Sequence, residues 1–304
     1  MKRGKIFSVL LLAIAAYAAA TVGSASGATA PASRSAQAWD CNPLAASMQG
    51  RGGVTREPDR AQASSDLPVR AKGKAGANFS ATVPVWFHVV TDGQVGNLTR
   101  SQISAQIRVL NNTFSAGEGG ADASFSFDLA GVTRTNNPKW FNASSGGIEH
   151  DMKRALHRGG PKTLNFYSTT AGPYLGWAYL PSIVDSSSQA YLDGIVIDWE
   201  SIPGTSDRYA GAFDRGETAT HEVGHWLNLE HTFAGGCGPK GDFVADTPAE
   251  KTPTSGCPAG KDTCPEPGLD PIHNYMDYSF DSCYTEFTAG QVQRMQDAWL
   301  FYRA

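Results

Sequence analysis

Eleven residues, His221-Glu222-Val223-Gly224-His225-Trp226-Leu227-Asn228-Leu229-Glu230-His231, constrain this chain more than any other part of it. Side chains four apart on a helix share a face, so His221 and His225 can offer two imidazole nitrogens to one metal ion. Glu222 lies about 100° round the helix from His221, outside the ring of ligands but near a water on the ion, where a general base belongs. An unbroken helix would carry His231 to another face, so the chain must turn for the third imidazole to arrive. Asn228 permits that turn, because asparagine is one of the few residues besides glycine that enters the left-handed conformation ending a helix. Three neutral nitrogens leave a fourth tetrahedral position open, which is the arrangement of a catalytic zinc site and not of a closed structural one. Zinc is therefore the expected cofactor. It would acidify water and polarise a carbonyl, while Glu222 takes a proton and later delivers it to the leaving amine. A helix of metal-free histidines is the bland alternative. A bare His-Glu-x-x-His matches by chance in about one position in 8,000, and the third histidine lowers that roughly twenty-fold.

The N-terminal residues bear on the compartment. Lys2, Arg3 and Lys5 precede an apolar stretch from Ile6 to Ala20, followed by the small residues Gly23 to Ala28. That is the layout of a secretory signal, here assigned to residues 1–28. Its apolar part is about 15 residues, short of the roughly 20 that span a bilayer, and no second span is found downstream. A secreted, extracellular protein is the expectation. With 25 basic and 29 acidic residues, nothing favours nucleic acid or an anionic membrane as partner. The expected partners are protein or peptide substrates, and the expected state is a monomer. Of the five cysteines, Cys237, Cys257, Cys264 and Cys283 crowd into the C-terminal part, and two disulfides among them suit an exported chain. Three pairings are open, and the absence of a Cys-x-x-Cys pair argues against a zinc ribbon. Cys41 is left over.

Residues 29–81 are rich in Ala, Ser, Gly and basic side chains and poor in large apolar ones, so they read as a propeptide or extension. Basic points between Arg70 and Lys74 are candidate cleavage sites. The catalytic domain is placed at 82–304. Within it, Val83 to Val90 predicts a strand ending at the turn signal Asp92-Gly93, and Ile103, Ile107, Leu110 and Phe114 predict a helix. Ser124 to Leu129, Leu164 to Tyr167 and Asp193 to Asp198 predict further strands. Gly172 to Pro181 has the Gly, Pro and aromatic character of a cleft border. Gly235 to Asp270 reads as a long loop, and Thr288 to Tyr302 as a final helix. The pattern is α+β, a mixed sheet with helices.

At the histidine motif the chain resembles the metzincins, whose His-Glu-x-x-His-x-x-Gly-x-x-His is followed by a methionine turn, here Asn274-Tyr275-Met276-Asp277-Tyr278. The flanking text, Thr218-Ala219-Thr220 before the motif, Thr232-Phe233 after it, Asp246-Thr247-Pro248, and Asp270-Pro271-Ile272-His273, is similar to the pappalysin family of secreted endopeptidases. The likeness runs from about Val83 to the C-terminus. It implies a zincin fold: an upper subdomain with a mixed, mostly five-stranded sheet and two long helices, a smaller irregular lower subdomain stapled by disulfides, and a cleft between them. It implies Met276 as an apolar floor beneath the metal and Tyr278 as a hydroxyl that can bind the oxyanion. It also implies the pairings Cys237 with Cys264 and Cys257 with Cys283, and calcium in the long loop, for which Asp242 and Asp246 offer hard oxygens. Where the clan has glycine, this chain has Asn228, at a cost on the order of 1 kcal/mol.

Because a thiolate is a good zinc ligand, a lone Cys41 in a removable extension could act as a latency switch that fills the open zinc position; the alternative is an unpaired or intermolecular thiol. Asp277 and Asp281 lie close to the expected specificity wall. His88, His150, His157 and His273 lack ligand spacing. Asn78, Asn97, Asn111 and Asn142 begin glycosylation triplets. The competing reading is a secreted binding or adhesion module with a structural zinc, or an inactive protease fold. Glu222 separates the two, because a structural site needs no carboxylate beside its first ligand.

Overall fold

The computed structural model describes residues 75–143 and 146–304 of the chain; the signal segment, Cys41 and the Arg70 to Lys74 cleavage points lie outside the described residues. Strand β1, Ala81–Thr91, carries Val83, Val85, Phe87 and Val89 on one face and His88 and Val90 on the other, all without solvent exposure. A strand buried on both faces belongs in the middle of a sheet. It pairs in parallel with β2, Phe125–Asn136, and with β3, Leu164–Thr169. Strand β5, Ile195–Asp198, lies parallel to β3, and the short β4, Gly176–Ala178, runs antiparallel to β5. The five-stranded order is β2-β1-β3-β5-β4.

Parallel neighbours need crossovers, which here contain helices. Helix α1, Arg100–Thr113, starts from a capping box made by Thr99 and Gln102 and buries Ile103 and Leu110. Helix α2, Gly147–Leu156, was not foreseen. Its inner face carries Met152 and Leu156 beside fully buried Glu149 and Lys153, paired at 3.1 Å. Two charges on the core face hide the apolar period that a sequence reader looks for. Strand β2 runs seven residues beyond the predicted Leu129, through residues none of which is fully buried, as suits an edge strand. The expected domain boundary at 82 falls inside β1. Phe79 already packs edge-on against Phe125 at 5.2 Å, and the Ala75 amide donates to Asp297.

Helix α3, Glu217–Trp226, carries the histidine motif and is buried along its whole length, against α1, β4 and β5. Helix α4, Ala289–Ala298, begins at a second capping box, Thr288 with Gln291, and ends in one π-helical turn, Trp299–Arg303. Arg303, 2 % exposed, pairs with both oxygens of Asp193 at 2.9 and 3.0 Å and donates to the Trp226 carbonyl at 2.8 Å. The end of α3 is thereby clamped by the end of α4. Between them lies irregular chain closed by the disulfides Cys237–Cys264 and Cys257–Cys283, the pairing that the family resemblance implied.

Candidate active site

The helix bearing His221 and His225 stops where Asn228 adopts φ 80°. The Asn228 amide donates to the His225 carbonyl at 2.8 Å and the Leu229 amide to the Gly224 carbonyl at 2.9 Å, a Schellman closure around one left-handed residue. The reversed chain returns His231 to the first two histidines. His225 Nε2 stands 3.1 Å from His221 Nε2 and 3.1 Å from His231 Nε2.

The opposite ring nitrogens explain what such a cluster can hold. His221 Nδ1 lies 2.6 Å from the Tyr275 carbonyl and His225 Nδ1 lies 2.7 Å from the Leu229 carbonyl. A carbonyl oxygen only accepts, so each Nδ1 carries the proton and each Nε2 presents a lone pair. Lone pairs aimed at one another from such a distance call for a cation between them. Two nitrogens bound tetrahedrally at about 2.05 Å to zinc would stand roughly 3.3 Å apart, so the donor set fits that ion.

Met276 packs under the site, and the contact explains Gly224. A β-carbon on Gly224 would overlap Met276 Sδ and sit 3.2 Å from Met276 Cε. Helix and methionine turn therefore approach closely only because residue 224 lacks a side chain. Glu222 is 3 % exposed and borders a cleft together with Gly176, His221 and Tyr278. Here β4 passes so near that a β-carbon on Gly176 would come 3.0 Å from Glu222 Oε1. The predicted cleft border is thus the strand that walls the general-base position. Tyr278 OH lies 3.0 Å from His231 Nε2, and the His231 ring stacks on Phe233 with centroids 4.7 Å apart.

Two buried acids line the inner cavity wall. Asp281 was anticipated; burial pushes its carboxyl up to about 7, against the pull of the Arg215 amide, which donates to it at 2.8 Å. Glu217 was missed, although it precedes His221 by one helical turn and so shares its face. Burial first, and then the neighbouring Asp281, push the Glu217 carboxyl well above the usual range. Asp277 is not among the residues lining this cavity; it turns the other way and accepts from the amides of Thr254 and Tyr278 at 3.0 and 2.7 Å.

The two acids singled out for calcium behave differently. Asp246 accepts from Thr288 Oγ1 at 2.7 Å and from the Gly290 amide at 2.8 Å, capping α4. Asp242 is buried, and burial raises its carboxyl to about 7 despite the Val244 amide that donates to it. Of the other histidines, His88 bridges Thr133 and Asn165 at 2.8 and 3.0 Å, and its burial lowers its pKa to about 4. His273 sits 2.6 Å from the Cys283 carbonyl. Asn111, a candidate glycosylation site, is occupied with the Phe127 amide and carbonyl and the Ile107 carbonyl.

Residues 207–299 match the family model described as pregnancy-associated plasma protein-A, peptidase M43. An extracellular metalloprotease of Arthroderma benhamiae is 43 % identical over 242 residues, covering 77 % of this chain and 78 % of that protein. Extracellular metalloprotease 1 of Coccidioides posadasii is 42 % identical over 259 residues, covering 83 % and 90 %. Among solved structures, mature mirolysin of Tannerella forsythia in complex with a cleaved peptide superposes with a TM-score of 0.62 at 29 % identity, over 74 % of this chain and 96 % of mirolysin.

Proposed function

This chain belongs to the pregnancy-associated plasma protein-A family of metallopeptidases, and from that premise we propose that His221, His225 and His231 hold its zinc ion and that Glu222 is the general base. It is an extracellular zinc endopeptidase that acts on proteins or peptides. The observation that carries the assignment is the convergence of His221 Nε2 and His231 Nε2 on His225 Nε2, each at 3.1 Å, with the His221 and His225 rings fixed by backbone carbonyls at Nδ1.

Bound there, zinc supplies a Lewis acid that acidifies water and polarises a scissile carbonyl. The protein's own part is positional and protonic. Strand β4 is the outer strand of the sheet and borders the cavity, so its outer edge can pair with an extended peptide. Glu222, held against Gly176, takes the proton from attacking water and returns it to the departing amine. The Tyr278 hydroxyl, beside His231, donates to the oxygen on which charge develops. Met276 supports the floor through its contact with Gly224.

In this reading Asp242 is the preferred calcium ligand of the long loop, since Asp246 is engaged at the start of α4. Residues 1–28 serve as export signal, and the extension that follows is removed on maturation by cleavage between Arg70 and Lys74, since the chain from Ala75 onward already packs with the domain; N-terminal sequencing of the secreted protein tests this. Among the described residues no helix is long and apolar enough to cross a membrane. The rival binding-module reading is not favoured, because a carboxylate adjoins the histidines inside a cavity open to substrate. Casein digestion with and without o-phenanthroline, beside Glu222→Ala, tests the assignment. Cleavage should require the metal and fall by about 10²–10⁴-fold in the variant, with zinc content unchanged. A fully active Glu222→Ala protein would refute it.

A further inference from the structure

Lys261 sits in its loop as a bound cation would. Its ammonium lies 2.5 Å from Glu250 Oε1, 2.5 Å from the Thr252 carbonyl, 3.0 Å from Thr254 Oγ1 and 3.0 Å from Asp270 Oδ2. Both carboxylate side chains are wholly buried, and the lysine side chain is 16 % exposed. An ammonium has three protons, so four surrounding oxygens resemble the coordination of an ion more than an ordinary surface pair.

The cage is tied to the active site by two short paths. Glu250 Oε2 accepts from Thr232 Oγ1 at 2.7 Å; Thr232 directly follows His231, and its amide donates to the Met276 carbonyl at 3.2 Å. On the other side, Thr254 donates its amide to Asp277 Oδ1 at 3.0 Å, the same oxygen that accepts from the Tyr278 amide at 2.7 Å. His221 and His225 are set by a helix. His231 and Tyr278 lie in irregular chain and depend on what stands behind them.

We propose that Lys261 is a positioning residue of the active site: its ammonium neutralises Glu250 and Asp270 and so holds Thr232 and Asp277 where His231 and Tyr278 must be. Without it, two buried carboxylates are left uncompensated, and the cage opens to water or takes up protons. Either outcome releases Thr232 and Thr254. The proposal rests on the zinc site assigned above.

The test uses the mature enzyme and compares wild type with Lys261→Met, Asp270→Asn and, as a control for lost stability alone, Ile107→Ala in α1. Zinc transfer to a chromogenic chelator, kcat, KM and the visible spectrum of the cobalt-substituted enzyme are measured. Lys261→Met should release zinc about ten-fold faster. It should lose kcat with little change in KM and shift the cobalt spectrum. Asp270→Asn should change in the same direction by less, and it decides the matter if Lys261→Met does not fold. Ile107→Ala should show wild-type release and spectrum despite its lowered melting temperature. Wild-type zinc release and cobalt spectra in both cage variants would overturn the proposal while leaving the zinc assignment intact. A wild-type protein without stoichiometric zinc would remove the assignment and this inference together.

Discussion

Gly224→Ala separates helix propensity from site geometry. In an isolated helix, alanine for glycine gains about 1 kcal/mol. Here the added carbon meets Met276 Sδ and lies 3.2 Å from Cε and 3.6 Å from Leu229 Cδ1. The sulfur must withdraw by about 1 Å to regain ordinary contact distance, and overpacking of this kind costs about 1–3 kcal/mol. The net change in stability is therefore between nothing and about 2 kcal/mol of loss. Activity should suffer more. Tyr275, which precedes Met276, holds the His221 ring by its carbonyl at 2.6 Å, and Tyr278 follows two residues later. A displacement near 1 Å at catalytic groups costs about 10²-fold in rate. Thermal unfolding and kcat/KM on a fluorogenic peptide measure the two effects. In a Met276→Ala background the overlap is gone, so the same Gly224→Ala change should stabilise the protein. A Gly224→Ala enzyme that is more stable by about 1 kcal/mol and fully active would refute the reasoning.

Further expectations concern the helix end, an inner acid and a disulfide. At φ 80°, Asn228→Gly should be nearly neutral, whereas Asn228→Ala should lose about 1–2 kcal/mol in denaturant unfolding; equal losses would contradict the left-handed requirement. Asp281 binds its proton more tightly when folded, with a pKa raised to about 7, so its contribution is present at low pH and fades as pH rises through 7. Relative to wild type, Asp281→Asn should gain on the order of 1–3 kcal/mol between pH 5 and 8, and parallel stability curves would count against the buried acid. The Cys257–Cys283 bridge joins residues 26 apart, and replacing both by serine should cost about 3.5 kcal/mol, or roughly 7–14 °C in Tm. A Tm within about 2 °C of wild type would show that the loop is held without it.

Much of the site was legible because its chemistry is local. His221, Glu222 and His225 are related by helical spacing alone, and the left-handed turn at Asn228 is a property of that residue type. β1 and α1 were legible for the same reason, their burial patterns having simple periods. α2 was not, since Glu149 and Lys153 occupy its core face as an ion pair. Neither was β4, three residues long and defined only by its pairing with β5. Glu217 lay one turn before His221 and could have been found by extending the ligand face backward. Lys261 gave no local sign, because its partners Glu250 and Asp270 are separated from it by loop of no regular period.

The residues of one helix and its terminal turn were sufficient to specify a metal-binding chemistry, since imidazole spacing and backbone handedness act over a few bonds. What they left open was every relation that spans the chain: which strand walls Glu222, what lies beneath Gly224, and which acids share the inner cavity. Those depend on side chains from distant segments competing for the same buried space and charge. Such competition has no counterpart in a linear pattern, and only folding resolves it.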